Sequence, residues 1–305
     1  MTQPTWIELS FDTTPEAIDW IRTLLATIDY TDTLSITKSS NPKWAFSVCF
    51  YLPYNSSHAA VNRIAQTLAP LNRTGLTTEL ETSIVASKPL NPDAVLDRIA
   101  PRFVVLAPDS VYQAQPNEIP IKLNPSLAFG SGLHPATRLS LMLLDRHLKP
   151  SMQTLDLGSG SGILSVAMAK LGANVLAIDN DAIAAQATQN AVDLNVVNDQ
   201  VRVLEASLGQ GSQLGHWMGG DTLQTVQSVD APEQFDLVMS NILARVHIAL
   251  ALDVRRSLRP NGLLIAAGFT IECEAEVTAA LIEVGFEAID SEHLDEWIAL
   301  TYRLR

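Results

Sequence analysis

The chain has 305 residues, of which 47% are hydrophobic and 17% charged, enough for about two domains with real cores and too apolar for disorder. Its formal net charge of −13, with no cluster of basic residues, argues against direct nucleic-acid binding and for a basic partner. No apolar run nears the roughly 18 residues of a membrane helix; there is no basic residue before Arg22 to suggest a signal peptide, and Cys49 and Cys273 lie too far apart for a disulfide framework or zinc pattern, so a metal-free cytoplasmic protein is expected.

Residues 4–86 read as strand, helix, strand, strand, helix, strand. Trp6, Ile7, Leu9 and Phe11 open the first strand. Pro15 starts a helix with Thr14 as its cap and Ile18, Ile21, Leu25 and Ile28 at helical spacing. Residues 33–37 and 44–52 predict two strands around the turn residues Ser39, Ser40, Asn41 and Pro42. A Ser56/Ser57 cap precedes a helix carrying Val61, Ile64, Ala65 and Leu68, and residues 76–85 predict the last strand. This is the order of a ferredoxin-like split βαβ sandwich, a small α+β domain placed at 1–87. It carries no nucleotide or metal motif, so binding or support is expected of it rather than chemistry. Residues 88–125 hold seven of the 16 prolines and read as a linker with an extended piece at 103–106.

From residue 126 strands and helices alternate. Strands are predicted at 154–157, 174–179, 201–206, 235–240 and 262–269, with a helix at 272–284 and an irregular stretch at 209–234. The pattern predicts an α/β domain over 126–305, built on a mostly parallel, doubly wound sheet. Segments 286–289 and 297–304 have no helix between them and predict an antiparallel edge hairpin.

Asp156-Leu157-Gly158-Ser159-Gly160-Ser161-Gly162 follows a strand and opens a helix. Glycines there let the backbone approach a ligand closely. A dinucleotide fingerprint requires glycine at position 163, where this chain has Ile163. The spacing G-x-G-x-G, with the acid Asp156 two residues before the first glycine, suits a short amino-acid moiety and a nucleoside better than a pyrophosphate. Asp179, 21 residues after Gly158, is placed to accept both hydroxyls of a ribose. A cap on the next helix is the competing reading, which Asp181 fits better. The pair points to a nucleoside cofactor, and S-adenosyl-L-methionine fits best.

Asn241-Ile242-Leu243-Ala244 ends a central strand on the side where open α/β sheets bind ligands. The Asn241 amide can accept a hydrogen bond from an amine, although a cap on the following helix explains it equally well. Residues 127–137, with two glycines and Phe129, lead into a helix carrying Leu141, Leu144 and Leu148. They read either as a lid over a ligand or as a flexible turn. Pro135 follows His134, which favours a helix-opening role for that histidine over one as a base.

Three segments together, AFGSGLHPAT (128–137), LDLGSGSGILSVAMAKLGA with AIDND (155–181) and SNILA (240–244), resemble the bacterial methyltransferases of large-subunit ribosomal protein eleven, the PrmA family. The resemblance implies a Rossmann-like class I methyltransferase domain behind a ferredoxin-like substrate-binding domain. It implies transfer of methyl groups from S-adenosyl-L-methionine to lysine and N-terminal amines of that basic ribosomal protein. It also implies cofactor contacts from Thr137, Gly158, Gly160, Asp179 and Asn241, with Ser207, after the third strand, approaching the adenine. Asn241 and the carbonyl of Ile242 are expected to hold the amine, with Phe129 walling the site and no dedicated base. A monomer is expected. The chain departs from the family at Ser126, Ser131, Leu133 and Ala136, and at Arg245-Val246-His247 after the NILA segment. The alternatives are a related methyltransferase acting on another protein's lysines or a small amine, and a non-catalytic module that docks on the ribosomal protein. A nicotinamide oxidoreductase is disfavoured by Ile163.

Overall fold

A computed structural model describes residues 6–28, 30, 34–54, 56, 58–85, 95–99, 102–108, 110, 112–124, 134–209 and 226–305. The first six elements are β1 (Trp6–Thr13), α1 (Ala17–Ala26), β2 (Ser35–Lys38), β3 (Phe46–Pro53), α2 (His58–Arg73) and β4 (Glu81–Val85). Their sheet order is β2-β3-β1-β4, antiparallel throughout, as a split βαβ sandwich requires. Leu9 and Phe11, alternate residues of β1, pack with Ile18, Ile21 and Leu25 of α1 and Ile64 and Leu68 of α2. The two periodicities, 2.0 in the strand and 3.6 in the helices, thus close one core.

Two local expectations differ. Thr14 does not cap α1: the N-cap is Glu16, without a side-chain bond. The Thr14 N–H instead donates to the Leu76 carbonyl, beside a bridge between Thr13 and Thr77. Residues 76–77 meet β1 at that isolated bridge, and the ladder of β4 begins at Glu81 rather than at residue 76. Ser57, expected at the start of α2, lies outside the described residues.

The second part runs α3 (Pro135–His147), β8 (Gln153–Leu157), α4 (Ile163–Lys170), β9 (Asn174–Asp179), α5 (Ala182–Asn195) and β10 (Val201–Leu208), preceded by β5 (Val95–Ile99), β6 (Phe103–Leu106) and β7 (Ile119–Lys122). It continues through β11 (Gln227–Val229), β12 (Phe235–Asn241), α6 (Ala244–Ser257), β13 (Leu258–Thr270), α7 (Ile271–Glu283), β14 (Phe286–Leu294) and β15 (Trp297–Leu304). The large sheet has the order β11-β10-β9-β8-β12-β13-β15-β14. All pairs are parallel except those of β15, which runs antiparallel to β13 and β14. This is the expected doubly wound sheet with its edge hairpin. Both faces are covered: Leu237, Met239 and Ile265 belong to a cluster with residues of α3 and α4, and Val238 and Leu264 to one with Val246, Leu250 and Leu281. Such two-sided burial is why these strands read as continuous apolar runs. Among the described residues no helix is long and apolar enough to cross a membrane.

Three pieces of the proline-rich stretch are strands. β5, β6 and β7 form a small sheet, antiparallel on one side of β6 and parallel on the other. Ile99, Phe103, Val105, Ile121 and Leu123 are buried in the same cluster as Leu139, Leu164 and Val175. Pro120 is tolerated because β7 is an edge strand, where a missing N–H costs no ladder bond. The piece is bolted down by polar contacts. Lys170 Nζ donates to the Pro120 carbonyl at 2.6 Å, and the Asn195 amide exchanges two bonds with the Lys122 backbone, at 2.9 and 2.7 Å.

Candidate active site

From β8 the chain steps to β9 on one side, and β12 enters on the other, so strand order reverses at β8. Crevices at such switch points, outside the carboxyl ends of the strands, are where open α/β sheets hold ligands. Register alone brings the candidate residues there. Leu157 pairs with both Ile178 and Ser240, so the glycine loop, Asp179 and Asn241 leave three adjacent strands side by side.

The loop is shaped by left-handed backbone: φ is 79° at Gly158, 55° at Gly160 and 83° at Gly162. The N–H groups of Gly158 and Ser159 both donate to the Ile178 carbonyl, tying the loop to β9. A Cβ on Gly162, the N-cap of α4, would lie 2.9 Å from the Thr188 Cα and 3.0 Å from the Ala191 Cβ. The third glycine therefore serves the close approach of α4 to α5.

Asp179 is 8% exposed. Its Oδ2 accepts the Gly160 N–H and its Oδ1 the Asp181 N–H, both at 3.0 Å. A carboxylate has about four acceptor sites, so these bonds and one from the Asn180 backbone leave room for another donor. Burial pushes this carboxyl up, and the bonds from Gly160 and Asp181 oppose that. Asp181 is the helix cap, accepting the Ile183 N–H at 2.8 Å. The capping role thus falls to Asp181 and not to Asp179.

Asn241 does not cap α6, whose N-cap is Leu243 without a side-chain bond. Its Nδ2 donates to the Thr137 hydroxyl at 3.3 Å, across 104 residues of sequence. Thr137 is buried in the first turn of α3, where His134 is the N-cap and its Nδ1 accepts the Ala136 N–H. The His134 ring stands edge-on to Trp297, 4.4 Å between centroids, so its helix-opening role holds. Ile242 is buried, its N–H donating to the Ala267 carbonyl at 3.0 Å. Phe129 and the rest of residues 125–133 lie outside the described residues.

Ser207 requires a correction. It lies within β10 rather than after it, because the strand runs to Leu208, extended by pairing of Ser207 with Ser228 of β11. Its hydroxyl is buried and, like that of Ser240, has no partner among the described residues.

One residue of the site went unread in the sequence, and another was read only as the acid two residues before Gly158. Gly268 has φ 92°, and a Cβ there would sit 2.5 Å from the Ile242 oxygen and 2.8 Å from the Asn241 Oδ1. Its only sequence signal is a lone glycine near a strand end. Asp156 is fully buried, with Oδ2 accepting the Ser165 hydroxyl and Oδ1 without a partner among the described residues. Burial, reinforced by nearby Asp179, pushes its carboxyl up to about 7 against the pull of the Ser165 bond. A cationic group delivered to this corner would relieve both carboxylates, which suits an amino-acid moiety with an ammonium group.

The upward displacement has a measurable sign. Folding favours protonated Asp156, so its contribution to stability is full below the ordinary carboxyl value of 3.8 and is lost as pH rises to about 7. At about 1.4 kcal/mol per unit the loss is roughly 3–5 kcal/mol. Asp156→Asn, which cannot ionise, should therefore melt higher than wild type at pH 8 without ligand and lose that advantage at pH 4. Parallel melting curves of the two proteins across this range would discard the assignment.

The protein-family model for ribosomal protein L11 methyltransferase (PrmA) matches residues 96–305, a span that starts inside β5. The chain is 36% identical to the ribosomal protein L11 methyltransferase of Chloroflexus aurantiacus, over 99% of each chain. It is 34% identical to that of Herpetosiphon aurantiacus, over 98% of each. The crystal structure of ribosomal protein L11 methylase from Lactobacillus delbrueckii subsp. bulgaricus matches with a TM-score of 0.57 at 26% identity, covering 68% of this chain and 98% of that one.

Proposed function

We propose, since the chain belongs to the ribosomal protein L11 methyltransferase (PrmA) family, that it transfers methyl groups from S-adenosyl-L-methionine to lysine side chains and the N-terminal amine of ribosomal protein L11. The observation that carries this reading is the convergence of the glycine loop, Asp179, Asn241 and Thr137 at the sheet's switch point. Among the described residues, Asp156 Oδ1 and the Ser207 hydroxyl have no partner, which fits a ligand with an ammonium group and a nucleoside.

The cofactor supplies an electrophilic methyl on a sulfonium. Asp179 would accept the ribose hydroxyls, Gly158 and Gly160 would bring backbone against the ligand, and Asp156 would face its ammonium. Ser207 would approach the adenine, and Thr137 would complete the set with Asn241. The nucleophile must be a neutral amine, whereas a lysine ordinarily titrates near 10.4. A desolvated pocket lowers that value by disfavouring the charged form. The Asn241 Oδ1 and the Ile242 carbonyl would accept the amine's N–H groups and so aim its lone pair, with Phe129 as a wall. Alignment of this kind can supply roughly 7–11 kcal/mol; the proton would leave the ammonium for solvent before transfer, with no side chain assigned as a dedicated base. The sandwich over residues 1–87 would hold the substrate, and the acidity of the chain suits a basic ribosomal protein.

The experiment is mass spectrometry of purified ribosomal protein L11 after incubation with the enzyme and S-adenosyl-L-methionine. Mass gains in methyl steps, mapped by peptide to lysines and the N-terminus, are expected. No gain, from enzyme that binds S-adenosylhomocysteine, would remove the substrate and turn attention to other basic proteins.

A further inference from the structure

One buried titratable side chain takes no part in this scheme. His247, in the first turns of α6, is 4% exposed, and its Nε2 lies 2.9 Å from the Ala267 carbonyl. A carbonyl only accepts, so in the neutral ring Nε2 carries the hydrogen and Nδ1 is the unprotonated nitrogen. The ring stands edge-on to Phe269, 5.3 Å between centroids. Burial pushes the imidazole down to about 4, against hydrogen bonding to the backbone of Ala267 and Ile242. It is therefore neutral at physiological pH.

The Ala267 carbonyl also accepts the Ile242 N–H at 3.0 Å. That is the ladder bond of the parallel pair Asn241–Ala267, so the carbonyl's second lone pair is left for the imidazole, and on its other side β13 bulges against β15. Ala266 pairs with Leu300 and Phe269 with Ile298, three steps on β13 against two on β15. Bulges free backbone groups and re-aim them, often beside active sites. The absent side chain of Gly268 lets Ile242 close onto the bulge. Packing alone would be served by a leucine, without the desolvation a buried imidazole carries.

We infer that His247 is a positioning residue for methyl transfer: its Nε2–H fixes the Ala267 carbonyl, which holds the Ile242 N–H, so that the Ile242 carbonyl and the Asn241 amide meet the amine in one geometry. This rests on the reading that Asn241 and Ile242 hold the amine.

The test compares His247→Gln, whose amide reaches the Nε2 position, with His247→Asn, one atom too short, and His247→Leu. With ribosomal protein L11 as substrate, Asn and Leu should lower kcat by about tenfold to a hundredfold, the scale of a slight misplacement of reacting groups. KM for S-adenosyl-L-methionine should change less than kcat, and Gln should restore most of the rate. Independently of activity, hydrogen exchange at the Ile242 amide should quicken in Asn and Leu and stay slow in Gln. Folded Asn and Leu variants with wild-type kcat and slow exchange would overturn the inference, as would a folded Gln variant no better than Asn. Should wild type leave L11 unmodified, the substrate reading falls, and exchange at Ile242 still decides whether His247 holds that residue.

Discussion

Asn241→Ala is expected to reduce methyl transfer to ribosomal protein L11 by at least about a hundredfold, the scale on which loss of one aligned polar group acts, while the melting temperature barely moves. The asymmetry follows from what the side chain does. Its Nδ2 makes one long bond, 3.3 Å to Thr137, and it caps no helix. A single neutral bond of this kind contributes about 1 kcal/mol or less. Its Oδ1, by contrast, crowds the same space over Gly268 as the Ile242 carbonyl, 2.8 and 2.5 Å from where a Cβ there would sit. Initial rates at saturating cofactor, set beside thermal melts, separate the two effects. Near-wild-type turnover would take the amine-holding role away from Asn241.

Gly268→Ala should damage both fold and activity, and is the harshest small substitution the site offers. At φ 92° a Cβ is already strained, and this one would sit 2.5 Å from the Ile242 oxygen and 2.7 Å from its nitrogen. These are backbone atoms, so relief requires moving β12 from β13 rather than rotating a side chain. A cost of roughly 2–4 kcal/mol is expected for positive-φ strain plus collision. Because the displaced atoms include the Ile242 carbonyl, turnover should fall even below the melting transition. Chemical denaturation together with rate measurements tests this. An unchanged midpoint would mean that the Asn241–Ile242 turn is not pressed against β13.

What the sequence made legible was whatever is encoded within a few residues of itself. The alternation of strands and helices, the edge hairpin and the glycine loop are local patterns, and all appear where expected. Asp179 was readable because its distance from the loop is set by one strand–helix–strand unit. Asp156 stood in view two residues before Gly158, yet nothing local says that Oδ1 lacks a partner. Gly268 and His247 acquire meaning only through Ile242 and Ala267, across an inter-strand contact that spacing does not report. β10 outran its expected end because a three-residue strand, β11, pairs with its last turn of sequence. The prolines of residues 88–125 concealed a sheet, since Pro120 is harmless only on an edge and edges are decided by the neighbours.

The side-by-side exit of β8, β9 and β12 also sets a timetable for biosynthesis. A nascent chain that has emerged as far as α5 already holds the glycine loop and Asp179, but β12, which flanks the loop on the other side, is still inside the ribosome. Sixty-two residues separate Asp179 from Asn241, roughly 3–12 s of synthesis at about 5–20 residues per second. Until then the hydrogen-bonding edge of β8 that β12 will pair with stays open, and the proposed site for the amine does not exist. A cofactor that arrives early meets half a crevice. Competence is therefore acquired late, in the last quarter of translation, and a truncated chain ending before β12 is a folding hazard rather than a slow enzyme.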